Sequence, residues 1–248
     1  MNVINCSWEL ANLDRRVVEL SLYNHEIIDK EAFSKLECDY DYIVVKTQTN
    51  ELVQYKDLSA MGYSFVESQI TVRKDFENLE NKSDFISSNV KDLYESMKCI
   101  RVTNEKDLNH VLVSMTKGMF VTDRIYLDDS FEKRYSLQRY RNWTRTEFFR
   151  GTQLYNIIYG GVDVGFLLFK LFDARMNVLL WGLYEQFQHH GFGNLVPLSV
   201  YYINDKIEHF KSFETKVSSN NKGIIDKLNH LGFIFSHFEY IFVKHTDV

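Results

Sequence analysis

The run Gln188-His-His-Gly191-Phe-Gly193 holds the residue types and spacing closest to a chemical purpose. It follows an apolar stretch, Val178–Tyr184, with strand character, and precedes a helical stretch from about Gly193 to Glu208, which predicts a tight strand-to-helix turn. Such a turn points several backbone N–H groups outward, and the helix N-terminus adds partial positive charge, so the loop suits an anion such as phosphate. Glycine is required where a Cβ would hold the anion away from the amides. Taken alone, a Gly-x-Gly is more often an ordinary connection. His189 and His190 raise the question of a metal, but adjacent histidines rarely converge on one ion and no third ligand is near in sequence, so no metal site is expected.

The elements that must position this loop are legible after residue 98. Cys99–Val102 reads as a strand, and Leu108, Val111, Leu112 and Met115 recur at helical spacing. Phe131–Phe149 reads as a second, aromatic-rich helix. Strands follow at Leu154–Tyr159, Val164–Leu171 and Val178–Tyr184, with Gly160-Gly161 marking a hairpin between the first two. After the loop and its helix come a strand at Ser212–Val217, a helix at Lys222–Leu231 and a long final strand at Phe233–Lys244. The order β-α-α-β-β-β-α-β-α-β demands a mixed sheet, an α/β (α+β) class.

Before residue 76 the sequence predicts a smaller α/β domain. Tyr42–Lys46 is β-rich, and Leu52, Tyr55, Leu58 and Met61 mark a helix that Gly62 ends. The strand Ser64–Val72 puts Val66, Ile70 and Val72 on one face, with Phe65, Glu67, Gln69 and Thr71 on the other, facing water or a cleft. Residues 76–98 read as an ordered connector, dividing a domain at 1–75 from one at 99–248. No repeat at a solenoid period is visible.

Composition narrows the function classes. A length of 248 residues falls between one domain and two, and a single proline excludes collagen-like sequence and proline-rich tails. A net charge of −5 argues against general nucleic-acid binding. Cys6, Cys38 and Cys99 are odd in number with no Cys-x-x-Cys, which predicts neither a disulfide framework nor a zinc site and fits a reducing cytoplasm. The first residues lack a signal-peptide pattern, and no apolar run approaches the roughly 18 residues of a membrane span. A cytoplasmic, soluble protein without a membrane partner is expected. An exposed sheet edge makes a homodimer plausible.

Placed after a strand and before a helix, Gln188-x-x-Gly191-x-Gly193 resembles the pyrophosphate-binding loop of the GCN5-related N-acetyltransferase (GNAT) superfamily. Asn221, Ile224 and Leu231-Gly232-Phe233 resemble that family's later Asn-x-x-Ala and Gly-Phe stretch, and the element order from Cys99 to Lys244 matches. The segment Leu58-Ser-Ala-Met-Gly62-Tyr-Ser-Phe-Val-Glu67-Ser-Gln-Ile-Thr-Val72, with Arg139-Tyr-Arg-Asn-Trp143, is similar to dTDP-fucosamine acetyltransferases. The resemblance implies a C-terminal GNAT fold with a smaller N-terminal α/β domain, and acetyl-CoA as co-substrate. It implies acetylation of the amine of a dTDP- or UDP-linked amino sugar. Another amine, such as a peptide terminus or a small metabolite, is the alternative, as is a degenerate acyl-CoA-binding regulatory protein.

In that reading acetyl-CoA lies in a V-shaped gap between two splayed parallel strands. A bulge commonly makes that splay, and Gly182 suits a bulge or a close backbone approach. The Leu183 N–H faces the thioester oxygen. Gln188, His189, His190, Gly191, Phe192, Gly193 and Asn194 take the pyrophosphate, with Asn221 beside them. Glu67 is the expected base. Arg124, Arg139 and Trp143 are the expected substrate contacts, within a stretch from Arg124 to Arg150 that carries seven Lys/Arg against four Asp/Glu. One departure stands out: the family's general-acid Tyr, seven residues after Asn221, is Leu228 here, leaving Tyr201, Tyr202, Tyr240 or water for that proton.

Overall fold

The computed structural model describes residues 1–76 and 88–246. Its centre is a ten-stranded mixed sheet. In chain order the strands are β1 (Asn2–Asn5), β2 (Val17–Ser21), β3 (Tyr42–Gln48), β4 (Ser64–Asp75), β5 (Met97–Arg101), β6 (Gln153–Tyr159), β7 (Val162–Phe172), β8 (Arg175–Leu183), β9 (Ser212–Ser218) and β10 (Ile234–His245). The helices are α1 (Leu10–Leu13), α2 (Lys30–Asp39), α3 (Leu52–Ala60), α4 (Ser88–Ser96), α5 (Glu105–Ser114), α6 (Arg124–Leu127), α7 (Arg134–Phe149), α8 (Leu195–Lys206) and α9 (Lys222–His230). The expected mixed sheet and element order are present, while β1, β2, α1 and α2 carry too weak a period to announce themselves. Of the expected connector, residues 77–87 lie outside the described residues and α4 occupies most of the rest. No helix among the described residues is long and apolar enough to cross a membrane.

Across the sheet the strands run β1-β2-β3-β10-β4-β9-β8-β7-β6-β5. β4 lies between β9 and β10, and β10 lies between β3 and β4. The division at 76–98 is therefore a division of chain order and not of the sheet, since each part lends a strand to the other.

This exchange follows a repeat. β3, α3 and β4 are 7, 9 and 12 residues long, and β9, α9 and β10 are 7, 9 and 12 as well. The offset between the two sets is constant. Leu58 matches Leu228, Gly62 matches Gly232, and Lys74 matches Lys244. Each glycine has positive φ (84° and 69°), the backbone state that ends a helix with least strain when no Cβ is present. Lys244 donates to the Met61 carbonyl at 2.9 Å beside the Tyr63 ring, and Lys74 donates to the Gly232 carbonyl at 3.0 Å beside Phe233. The β4–β10 ladder, centred on Gln69 and Glu239, keeps its register when the strands are exchanged. Its two bulges, at Val66 and Ser236, are related in the same way.

The sheet buries both faces. On one, α8 and α9 cover a core with Phe169, Val178, Leu198 and Phe213, and α2 and α3 cover one with Val18, Phe33, Leu58 and Phe242. On the other, α5 and α7 cover Leu108, Leu154, Phe166 and Tyr184, while Ile125 and Phe131 pack on Tyr42, Val44, Ile241 and Val243. Nearly continuous apolar strands follow from this two-sided burial.

Candidate acyl-CoA and acceptor site

β8 and β9 run parallel, pairing from Arg175↔Ser212 to Val178↔Thr215, and then part. The Thr215 hydroxyl closes the last rung by donating to the Val178 carbonyl at 3.0 Å. Leu179 is the extra residue where β8 pairs with β7, so the bulge falls there and not at Gly182, which stays in register opposite Phe166. The close backbone approach belongs to Gly165: a Cβ on it would overlap the Gly182 carbonyl oxygen and come within 3.2 Å of the Leu183 Cα. The close approach expected at Gly182 is present through its carbonyl, but the residue that must lack a Cβ is Gly165, because the contact is made across two strands.

Beyond the bulge, Tyr184 donates its N–H to the Val164 carbonyl at 2.9 Å. Antiparallel pairs alternate, so the preceding pair, Gly165↔Leu183, is the non-bonded kind. The Leu183 N–H and C=O are therefore turned away from β7, toward the gap. The Gln188 side chain donates to that carbonyl at 3.2 Å, which leaves the N–H as the group facing the opening.

The loop then turns through His189 (φ 63°) and Gly191 (φ 86°), both left-handed, into a single 3-10 turn, Phe192–Asn194, and α8. Amides at the head of a helix have no intrahelical partner. His189 and His190 are exposed, and among the described residues no three His, Cys, Asp or Glu groups converge. Phe192 is held against Tyr159 and Phe187. A Cβ on Gly193 would lie 3.3 Å from Cε of Lys227, so this lysine of α9 runs alongside the loop. Sequence spacing gave no sign of Lys227, because α9 meets the loop only in the fold. Asn221 caps α9, its side chain accepting from the Ile224 N–H at 3.3 Å. The loop thus presents helix-head amides, a cradle kept clear of side chains and a nearby cation, and these fit a CoA pyrophosphate.

On the opposite face of the sheet lies a set of charged groups. Glu67 shares a face with Ile241, its partner on β10. It is only 5% exposed, so the expected water-facing side of this strand is in fact covered by α6 and α7. Burial raises its pKa, opposed by a hydrogen bond from the Ser218 hydroxyl and by Arg124. Its Oε2, the Arg124 Nε and the Tyr42 hydroxyl are shielded from solvent and have no hydrogen-bond partner among the described residues. Lys46 and Glu19 form an ion pair at 2.6 Å nearby. Although burial works against the Glu19 charge, Lys46 and Arg124 hold its pKa below the usual range.

The other expected substrate contacts are placed differently. The Arg139 Nε donates to Glu9 at 2.6 Å, with both side chains largely covered. Trp143 is half-buried beside Tyr140, which stacks on Phe120. Leu228 is fully buried in the α8–α9 core. The Tyr201 hydroxyl donates to the Leu231 carbonyl at 2.9 Å. Tyr202 meets Tyr94 edge-on, and Tyr240 belongs to an aromatic cluster with Tyr55 and Phe65.

The overall fold is shared with solved structures. The chain superimposes on a GCN5-related N-acetyltransferase from Sphaerobacter thermophilus with a TM-score of 0.53 at 10% identity, over 83% of this chain and 60% of that one. The fold is that of the GNAT proteins. A tandem GNAT protein from the clavulanic acid biosynthesis pathway gives a TM-score of 0.52 at 13% identity, over 87% of this chain and 67% of that one. A functionally unknown conserved protein from Staphylococcus epidermidis gives 0.56 at 11% identity, over 87% and 77%. The chain thus spans about 60% of the length of the Sphaerobacter protein. No protein-family model matches the sequence, and no curated protein matches it.

Proposed function

We propose that this chain transfers an acetyl group from acetyl-CoA to the amine of a nucleotide-linked amino sugar. One observation carries the transfer: β8 and β9 part directly above a glycine loop, with the Leu183 N–H turned into the gap. Acetyl-CoA, when bound, supplies the activated thioester. Gly191, Phe192, Gly193 and Asn194 would hold its pyrophosphate through their amides, Gln188, His189 and His190 would shape the turn, and Lys227 would add charge. The capping role of Asn221 holds the start of α9 beside them.

Leu183 donates to the carbonyl oxygen as negative charge gathers there. The acceptor amine must be neutral to attack, and Glu67 takes its proton directly or through a water shared with Ser218. As the new N–C bond forms the C–S bond breaks, and the departing thiolate is protonated by water. Leu228 cannot supply that proton, and the Tyr201 hydroxyl is already given to Leu231.

The acceptor reading is supported by the Leu58–Val72 resemblance and by the unpartnered polar atoms of Glu67, Arg124 and Tyr42 on the acceptor face. Arg124 is the better of the two expected arginines for a diphosphate, since an Arg139 contact would break its pair with Glu9. The test is release of free thiol from acetyl-CoA with a panel of dTDP- and UDP-linked amino sugars. CoA binding without turnover on any amine would overturn transfer. Turnover on peptide termini alone would overturn the acceptor assignment. Gly191→Asp, which sets a carboxylate where the phosphate should lie, is expected to abolish CoA binding while the circular dichroism spectrum is kept.

A further inference from the structure

A cleft of about 440 Å³ opens where β4 begins, between the ends of β4 and β10 and the turn that follows α6. One wall is apolar: Val66 and Val243 lie inside, and Leu127, 44% exposed, stands at the rim. The other wall carries a polar pair, the His245 Nε2 and the Asp128 Oδ2 at 2.8 Å. The His245 ring is held against Tyr42 and Phe131, so the pair is fixed before anything binds.

The cleft is joined to the proposed base by a backbone irregularity. Val66 is the bulged residue of β4, and a bulge lets two consecutive residues face the same side. Val66 packs with Val243 and Ile241, while Glu67 pairs with Ile241 on the same side. Val66, in the cleft wall, is therefore followed on the same face by the buried Glu67. Glu67 also lies beside the hydroxyl of Ser218, the last residue of β9, beyond Thr215 where β8 and β9 part.

An apolar wall opposite a rigid donor–acceptor pair suits a ring with a C–H face and hydroxyls at its edge. We propose that this cleft holds the pyranose ring of the acceptor, with its amine directed along β4 toward Glu67. The assignment rests on the transfer reading above but has a readout independent of turnover.

The binding probe is D-glucosamine, titrated into isotopically labelled protein and followed by amide NMR. Shifts should fall at Ser64–Glu67 and Val243–His245, and should vanish in Leu127→Trp, which blocks the rim from an exposed position. With a nucleotide-linked amino sugar, Leu127→Trp should raise the acceptor KM about tenfold or more while the acetyl-CoA KM stays unchanged, a loss worth roughly 1.4 kcal/mol. Asp128→Asn should raise the acceptor KM in the same way. Shifts at these amides without turnover on any amine would sink the transfer reading and leave the cleft assignment standing. Turnover with shifts elsewhere and an unchanged KM in both variants would overturn the cleft assignment and spare transfer. Neither shifts nor turnover would overturn both.

Discussion

Gln69 and Glu239 pair across β4 and β10 at the centre of a two-fold repeat, and the rungs on either side correspond when the two strands are exchanged. The halves so related differ where acyl-CoA would bind. β8 and β9 separate after Val178↔Thr215, whereas β2 and β3 stay paired to Ser21↔Lys46, and Leu22 adds one more bond to the Lys46 carbonyl at 2.9 Å. The loop after β2, residues 22–29, has no glycine. Gln54 ties it down, donating to the Tyr23 and Glu26 carbonyls at 2.8 and 2.9 Å and accepting from Thr47. The expected stoichiometry is one acetyl-CoA per chain by calorimetric titration. Two sites per chain would show that the paired half opens in solution.

The Gly165–Gly182 contact makes a sharp distinction between two glycines. A methyl group on Gly165 collides with backbone that cannot swing aside, while one on Gly182 lies an ordinary 3.5 Å from the Met119 Cε. Gly165→Ala should cost about 1–3 kcal/mol by overpacking and weaken acetyl-CoA binding by displacing β8. Gly182→Ala should be nearly neutral. Chemical denaturation checks both, and equal effects would contradict this geometry.

The base role proposed for Glu67 is tied to stability through its raised pKa, which burial causes. For transfer, the rate should climb with pH as the carboxyl ionises, and Glu67→Gln should lower kcat by roughly 10²-fold or more and abolish that limb. For folding, a carboxyl whose folded pKa is raised contributes fully below its unfolded pKa and loses that contribution as pH rises through the folded value. Gln imitates the protonated acid. The variant should therefore match the native protein at acidic pH and have a higher Tm near neutrality. An unchanged kcat–pH profile would remove Glu67 from the mechanism.

Arg139 and Arg124 should separate cleanly. Arg139→Met strands the buried Glu9 carboxylate, at a cost of about 3–5 kcal/mol. For a chain of this size that corresponds to a Tm drop of roughly 10 °C. Adding Glu9→Gln should restore much of the loss. The acceptor KM of the folded Arg139 variant should not move, whereas Arg124→Met should raise it. The reverse pattern in KM would return the diphosphate contact to Arg139.

Much of the second half was legible because its signals are local. Alternation and helical spacing mark β6, α5 and α9, and Gly160-Gly161 marks the hairpin between β6 and β7. Other elements had weaker local signals. Val17–Ser21 is short, and Lys30–Asp39 shows its start only in the capping Asp29, which accepts from the Glu31 and Ala32 amides. The repeat left traces in Leu58 and Leu228, Gly62 and Gly232, and Lys74 and Lys244. They are too sparse to be seen until the matching strands pair.

The loop Gln188–Gly193 was fixed by sequence alone, because a left-handed residue at Gly191 and open space over the amides are demands that neighbours in the chain can satisfy. The same holds for the order of the main strands and helices after residue 98. Only the tertiary structure placed β4 between β9 and β10, bulged it at Val66, buried Glu67 and paired Arg139 with Glu9. A strand's own period states which residues share a face. It does not state which strand lies beside it or what covers that face, since pairing and burial join residues far apart in the chain.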